Sequence, residues 1–171
     1  MTRFLTPILD RWRLCALLAS AAMLSIAHAF ETFGGLAPCT LCLRQREVYW
    51  VAAFMAVVGM IVTRMPNGAR WRMGFNAALG VLFLAGVAVA VYHAGAEWKF
   101  WPGPTACSGA GGGASAEAMA GLLNGAKIAP PRCDEAAWVF AGLSMAGWNA
   151  LAYLGLAGLS LAAVLRERSR L

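Results

Sequence analysis

Long uncharged apolar runs alternate with short charged or turn-forming stretches along this chain. Residues 14–30 carry no charged residue and reach about the minimum length for a bilayer span. Further runs cover 48–63, 73–96 and 147–165. Runs of this kind read as membrane helices, because backbone polar groups in lipid must be satisfied within their own segment. Pro66, Asn67 and Gly68 mark a turn between the second and third runs. The uncharged tract from 136 to 165 is too long for one simple span, so residues 138–145 are read as an amphipathic segment lying on the membrane. The pattern predicts an all-α fold: an integral membrane four-helix bundle forming a single membrane domain over residues 1–171. Its two longer loops fall at about 31–47 and 97–146. In the second loop, the prolines at 102 and 104 forbid a continuing helix, and the aromatics around them suit a membrane interface. Residues 108–115 are glycine-rich and expected to be mobile, and 116–123 are expected to form a short surface helix. There is no internal repeat.

The first run competes with a secretory leader, since Arg3, Arg11 and Arg13 precede it and Ala27-His28-Ala29 fits a small-residue cleavage site. The run is long for a leader's apolar region, which favours a retained helix.

Composition sharpens the compartment. Of the 171 residues 60% are hydrophobic, against about 45–50% in soluble domains. The net charge of +6 is informative through its placement. Arg3, Arg11, Arg13, Arg64, Arg70, Arg72, Arg166, Arg168 and Arg170 flank the runs on one side. Arg44, Arg46, Lys99, Lys127 and Arg132 lie in the two longer loops. The excess puts both termini in the cytoplasm and the two loops on the opposite side of the membrane, the periplasm if the cell is a Gram-negative bacterium. No alternating basic and aromatic stripe suggests nucleic-acid binding, so the basic balance is a topology signal.

The five cysteines divide by environment. Cys15 lies within an apolar run and reads as a small buried residue. Cys39, Cys42, Cys107 and Cys133 lie in the loops, on the oxidising side. If Cys39 and Cys42 start a helix, both sit on one face and the helix N-terminus lowers a thiolate's pKa. Arg46 follows Cys42 by one turn and can stabilise an anion or donate to a carbonyl oxygen. By itself the pair fits a structural disulfide or half of a zinc site equally well. A Cys107–Cys133 cross-link would close a loop of about 25 residues, worth roughly 3–4 kcal/mol on the chain-entropy model. On a glycine-rich loop such a bond is open to an outside thiolate, which favours exchange over stapling.

The ordered set of motifs resembles the disulfide bond formation protein B (DsbB) family over essentially the whole chain. It comprises Pro38-Cys39-Thr40-Leu41-Cys42 with Gln45-Arg46, then Tyr92-His93, the stretch from Trp101 to Cys107, Cys133-Asp134-Glu135, and the tract from Phe140 to Trp148. The resemblance implies an inner-membrane thiol:quinone oxidoreductase. Such an enzyme reoxidises a periplasmic thioredoxin-like, DsbA-like thiol oxidase and passes the electrons to a quinone, ubiquinone or menaquinone. It implies that Cys107 is attacked by the soluble partner, and that Cys133 is its loop partner and pairs transiently with Cys39. It further implies that Cys42 contacts the quinone ring, with Arg46 and His93 beside the quinone. The glycine-rich tract after Cys107 departs from the best-known members.

Two other readings stand beside this one: a non-catalytic cysteine-rich membrane protein binding zinc, and an assembly subunit with inert disulfides. Cys107 and Cys133 lack zinc-site spacing, and no residue is assigned to a metal. His28 reads as an interfacial polar group. The glycines at 80–86 and 155–158 read as helix-packing positions. Arg46, charged and close to the bilayer, is a functional candidate in its own right.

Overall fold

The computed structural model describes residues 2–104 and 132–170. The amino end forms α1 (Thr2–Asp10), followed by α2 (Trp12–Thr32), α3 (Thr40–Val62), a 3-10 turn at Gly68–Trp71, α4 (Arg72–Glu97) and α5 (Met145–Arg168). α2, α3, α5 and the stretch Gly68–Glu97 are each long and apolar enough to cross a membrane. α4 packs most extensively on α5, and α3 packs on both α2 and α4. Large apolar side chains such as Leu18, Phe54, Val81, Leu84, Leu154 and Leu161 face outward, where lipid replaces water as their solvent. The interior is built from small residues, with Ala16, Ala52, Ala90 and Ala163 fully buried, which lets backbones approach closely.

The helices extend beyond the apolar runs. Residues 40–47, placed in a loop by charge pattern, form the first turns of α3. Arg44, Arg46 and Glu47 interrupt the apolar pattern, and none of them breaks the helix. The segment 138–145 is a tight hairpin rather than a continuous amphipathic segment. Val139 pairs with Ser144 and Phe140 with Leu143 across a two-residue turn. Ala141 and Gly142 both take positive φ, the geometry that suits a two-residue hairpin. Ser144 then caps α5 by accepting from the Gly147 amide at 3.1 Å. The expected mobile tract at 108–115 and the surface helix at 116–123 lie outside the described residues.

Polar ties join the arginine-rich end of the bundle. Trp12 donates to Ser160 Oγ at 3.0 Å and Arg13 to Asn76 Oδ1 at 3.1 Å. Arg166 and Arg170 both meet Asp10, linking α5 to α1. Of the glycines read as packing positions, Gly86 does abut the Tyr153 ring. Gly155 and Gly158 have open space where a Cβ would stand, because they face away from the neighbouring helices.

One glycine lies beside the functional end of α4. A Cβ on Gly95 would fall 2.0 Å from the Trp101 ring. That ring donates to the Tyr92 carbonyl at 2.8 Å and stacks on Tyr92, folding the loop back onto α4. Gly95→Ala is expected to destabilise the protein by about 1–3 kcal/mol through overpacking. Denaturation in detergent micelles measures this, and an unchanged midpoint would show that the Trp101 contact is dispensable.

Candidate functional site

Cys39 and Cys42 take their positions from the start of α3. Cys39 is the residue that caps this helix, with extended backbone at ψ 170°. Its sulfur accepts from the Cys42 amide at 3.2 Å, a thiol doing what a serine or aspartate does at other helix starts. The cap turns both sulfurs to one face, 2.8 Å apart, and both are free thiols. The hydrogen bond to Cys42, and after it burial, push the Cys39 thiol well above the ordinary cysteine range.

α4 brings His93 to the same point. Its Nε2 lies 3.5 Å from Cys39 Sγ and 3.7 Å from Glu97 Oε1, one turn further along the helix. The His93 ring is fixed from behind. Gln45 Nε2 donates to His93 Nδ1 at 2.9 Å, and Asn149 Nδ2 donates to Gln45 Oε1. Tyr49 donates to Asn149 Oδ1 at 2.6 Å, and Tyr153 donates to the Gln45 carbonyl at 2.6 Å. The two tyrosine rings stack at 4.4 Å. Gln45 is thus the hub of a buried network across α3, α4 and α5, with each polar group engaged where desolvation makes an orphan costly.

Arg46 points the other way, toward α2. It donates to Glu31 Oε2 at 2.6 Å and to the Ala27 carbonyl at 3.1 Å. Its charge thus sits at the carboxyl end of α2, where the helix dipole favours a cation. Arg46, Cys39, Cys42 and His93 all line one cavity of about 860 Å³. Its walls are largely apolar, including Ile26, Phe30, Trp138 and Trp148. This combination of apolar walls and a few convergent polar groups is that of a small-molecule site.

Cys133 enters from the second loop. It is fully buried, packs against Cys39, and its sulfur lies 3.4 Å from Thr40 Oγ1. It is disulfide-bonded, and its partner lies outside the described residues, as does Cys107. Asp134 anchors this segment, accepting from Arg132 at 3.0 and 3.1 Å and from Lys99 at 3.0 Å. Arg132 first, and Lys99 after it, hold the Asp134 carboxyl well below the usual carboxylate range. Elsewhere, His28 bonds back to the Leu24 carbonyl of its own helix at 2.8 Å. Cys15 is half-buried against the core, far along the chain from the other thiols.

Sequence reasoning missed six members of the site: Glu31 as the partner of Arg46, Gln45 as the hub of the network, and Tyr49, Glu97, Asn149 and Tyr153. Glu97 was findable, since it stands one helical turn beyond His93. Asn149, a strong polar group inside an apolar run, carried a weaker signal of the same kind.

Comparison with known proteins agrees with this architecture. The family model described as "Disulfide bond formation protein DsbB" matches residues 10–163. Disulfide bond formation protein B of Alkalilimnicola ehrlichii is 30% identical over 170 residues, covering 95% of this chain and 98% of that protein. Disulfide bond formation protein B 2 of Pseudomonas putida is 34% identical over 162 residues, covering 91% of this chain and 90% of its own. Disulfide bond formation protein B of Methylococcus capsulatus is 30% identical over 154 residues, 87% of this chain and 92% of that one. No solved structure matches the chain. With four apolar helices and a free dithiol capping one of them, the chain belongs to the DsbB family of membrane proteins that act in disulfide bond formation.

Proposed function

We propose that this protein is a thiol:quinone oxidoreductase of the bacterial inner membrane that reoxidises a periplasmic DsbA-like thiol oxidase. The observation that carries this reading is a dithiol lining an apolar cavity that Arg46 also lines, with Cys133 packed against Cys39.

The steps follow from thiol–disulfide exchange. A thiolate of the reduced partner attacks Cys107, breaking the Cys107–Cys133 bond and releasing Cys133 as a thiolate. The partner's second thiolate then displaces Cys107 and leaves the partner oxidised. Cys133 attacks Cys39 of an oxidised Cys39–Cys42 pair, with Cys42 leaving. Cys107 then attacks Cys133, which restores the loop disulfide and leaves Cys39 and Cys42 reduced.

The cavity suits a quinone, since its apolar walls accept a ring and Arg46 can donate to a ring oxygen. A quinone held there by Arg46 and the apolar walls would supply a two-electron, two-proton acceptor for the dithiol. The chain's own part is to position Cys39 and Cys42 at the cavity and to keep His93 oriented beside them through Gln45. In this reading the whole chain is one membrane domain, with both termini cytoplasmic and the cysteine loops periplasmic.

Two outcomes test the reading. In intact, reduced spheroplasts, a membrane-impermeant thiol reagent is expected to label Cys39 or Cys107; labelling only after lysis reverses the topology. In Cys133→Ala, Cys107 has no loop partner, so its thiolate attacks the disulfide of the oxidised soluble partner and releases that partner's second thiolate; the resulting mixed disulfide is expected on non-reducing gels, because no Cys133 is present to reclaim Cys107. If that adduct is missing while Cys107→Ala behaves the same way, the assigned order is wrong.

A further inference from the structure

We propose that the reduced Cys39–Cys42 pair and His93 together form a binding site for one soft divalent cation of the zinc class. Ligand atoms from the three residues all lie within 4.8 Å of one another. Tetrahedral zinc takes bonds of about 2.3 Å to sulfur and about 2.0–2.1 Å to nitrogen, which puts sulfur and nitrogen about 3.6 Å apart and two sulfurs about 3.8 Å apart. The Cys39 Sγ to His93 Nε2 separation, 3.5 Å, already meets this. The sulfurs stand 2.8 Å apart and need only part slightly, a side-chain rotation at Cys42.

The surroundings support a cation. Gln45 Nε2 donates to His93 Nδ1, which fixes the ring from the nitrogen that would not bind the ion. Ligation at Nε2 places the proton on Nδ1, so the Gln45 amide must turn to present its oxygen there, and the Asn149 amide, which donates to that oxygen, must turn with it. Glu97 is buried beside the same nitrogen, its Oε1 3.7 Å from His93 Nε2, and its Oε2 has no hydrogen-bond partner. The three ligands leave the fourth position to the cavity, as three-ligand zinc sites do. Two thiols release two protons on binding, so the dithiolate and the dication together add no net charge to a site bordering lipid. The four-cysteine zinc alternative differs from this site, since Cys133 is disulfide-bonded here.

A bound ion holds both sulfurs as ligands, so the dithiol cannot close to a disulfide until the ion leaves. That consequence, a metal-operated brake on reoxidation, rests on the redox role proposed above; the site itself does not.

The test uses full-length protein in detergent, reduced and freed of reductant, titrated with Co²⁺ as an optical probe. The expected result is the visible absorption of tetrahedral thiolate coordination, saturating at one ion per chain and displaced by Zn²⁺. Closing the pair with oxidant should abolish it. The bands should survive in Cys107→Ser/Cys133→Ser, while His93→Ala should weaken binding by more than about tenfold. A second measurement on the unaltered chain guards against a misfolded variant: Zn²⁺ should slow alkylation of Cys39 and Cys42, read by peptide mass. Absence of the bands, bands indifferent to oxidation of the pair, or equal alkylation with and without Zn²⁺ each overturns the site. Turnover assayed in chelator separates the two proposals, since its loss sinks the redox reading and leaves the metal result standing.

Discussion

Arg46→Ala is expected to raise the quinone concentration needed for half-maximal turnover by roughly ten- to a hundredfold, equivalent to one lost charged hydrogen bond of about 1.5–3 kcal/mol. Arg46 borders the same cavity as Cys42 and stands one turn beyond it on α3. A thiolate at this depth is poorly solvated, and a nearby guanidinium offsets part of that cost. The same group can donate to a quinone oxygen as negative charge develops there. The structure adds a constraint, because Arg46 is already held by Glu31 and the Ala27 carbonyl. Those contacts fix the guanidinium at the cavity wall and leave its remaining donors to a ligand. Glu31→Gln should therefore cost less than Arg46→Ala, since the charge remains and only its anchor weakens. Arg46→Lys should recover only part, for an ammonium cannot bond Glu31, Ala27 and a ligand with one planar fork. Thiol exchange at Cys107 should survive in all three variants. The measurement is turnover against quinone concentration at one fixed concentration of reduced partner. An unchanged quinone dependence in Arg46→Ala removes this residue from the site.

The second large effect is expected at Gln45. Gln45→Leu keeps the side-chain bulk but deletes a donor to His93 and an acceptor for Asn149. Each buried group left unpaired costs about 1–3 kcal/mol, so thermal stability should fall. Turnover should fall by more than the stability loss explains, because His93 loses the contact that orients it beside Cys39. Tyr153→Phe provides the comparison. It removes a bond to the Gln45 backbone while leaving the Gln45 side chain in place, so it should lower stability with a smaller effect on rate. Equal rate losses in the two variants, scaled to stability, would make Gln45 a structural residue only.

Much of this protein is legible in its sequence. Membrane helices declare themselves because lipid demands long uncharged segments, and the arginines at 64, 70, 72, 166, 168 and 170 read directly as one flank of the bilayer. The Cys39–Cys42 spacing at a helix start is likewise local information, since one turn of helix determines where both sulfurs point. Charge pattern misled on helix length, because Arg44, Arg46 and Glu47 interrupt the apolar pattern without ending a helix. It also gave no sign of the 139–144 hairpin, whose turn depends on positive φ at Ala141 and Gly142, a weak turn signal at an alanine. What only the tertiary structure decided is the company the cysteines keep. His93 stands 54 positions from Cys39 along the chain, Cys133 lies 93 from Thr40, and Asn149 lies 104 from Gln45. Such pairs form because helix packing aligns particular faces of α3, α4 and α5. Hydrophobicity alone leaves the rotation of each helix undetermined, since lipid accepts any apolar face. That choice is made by the buried polar groups, which must find one another because neither lipid nor the packed interior can satisfy them.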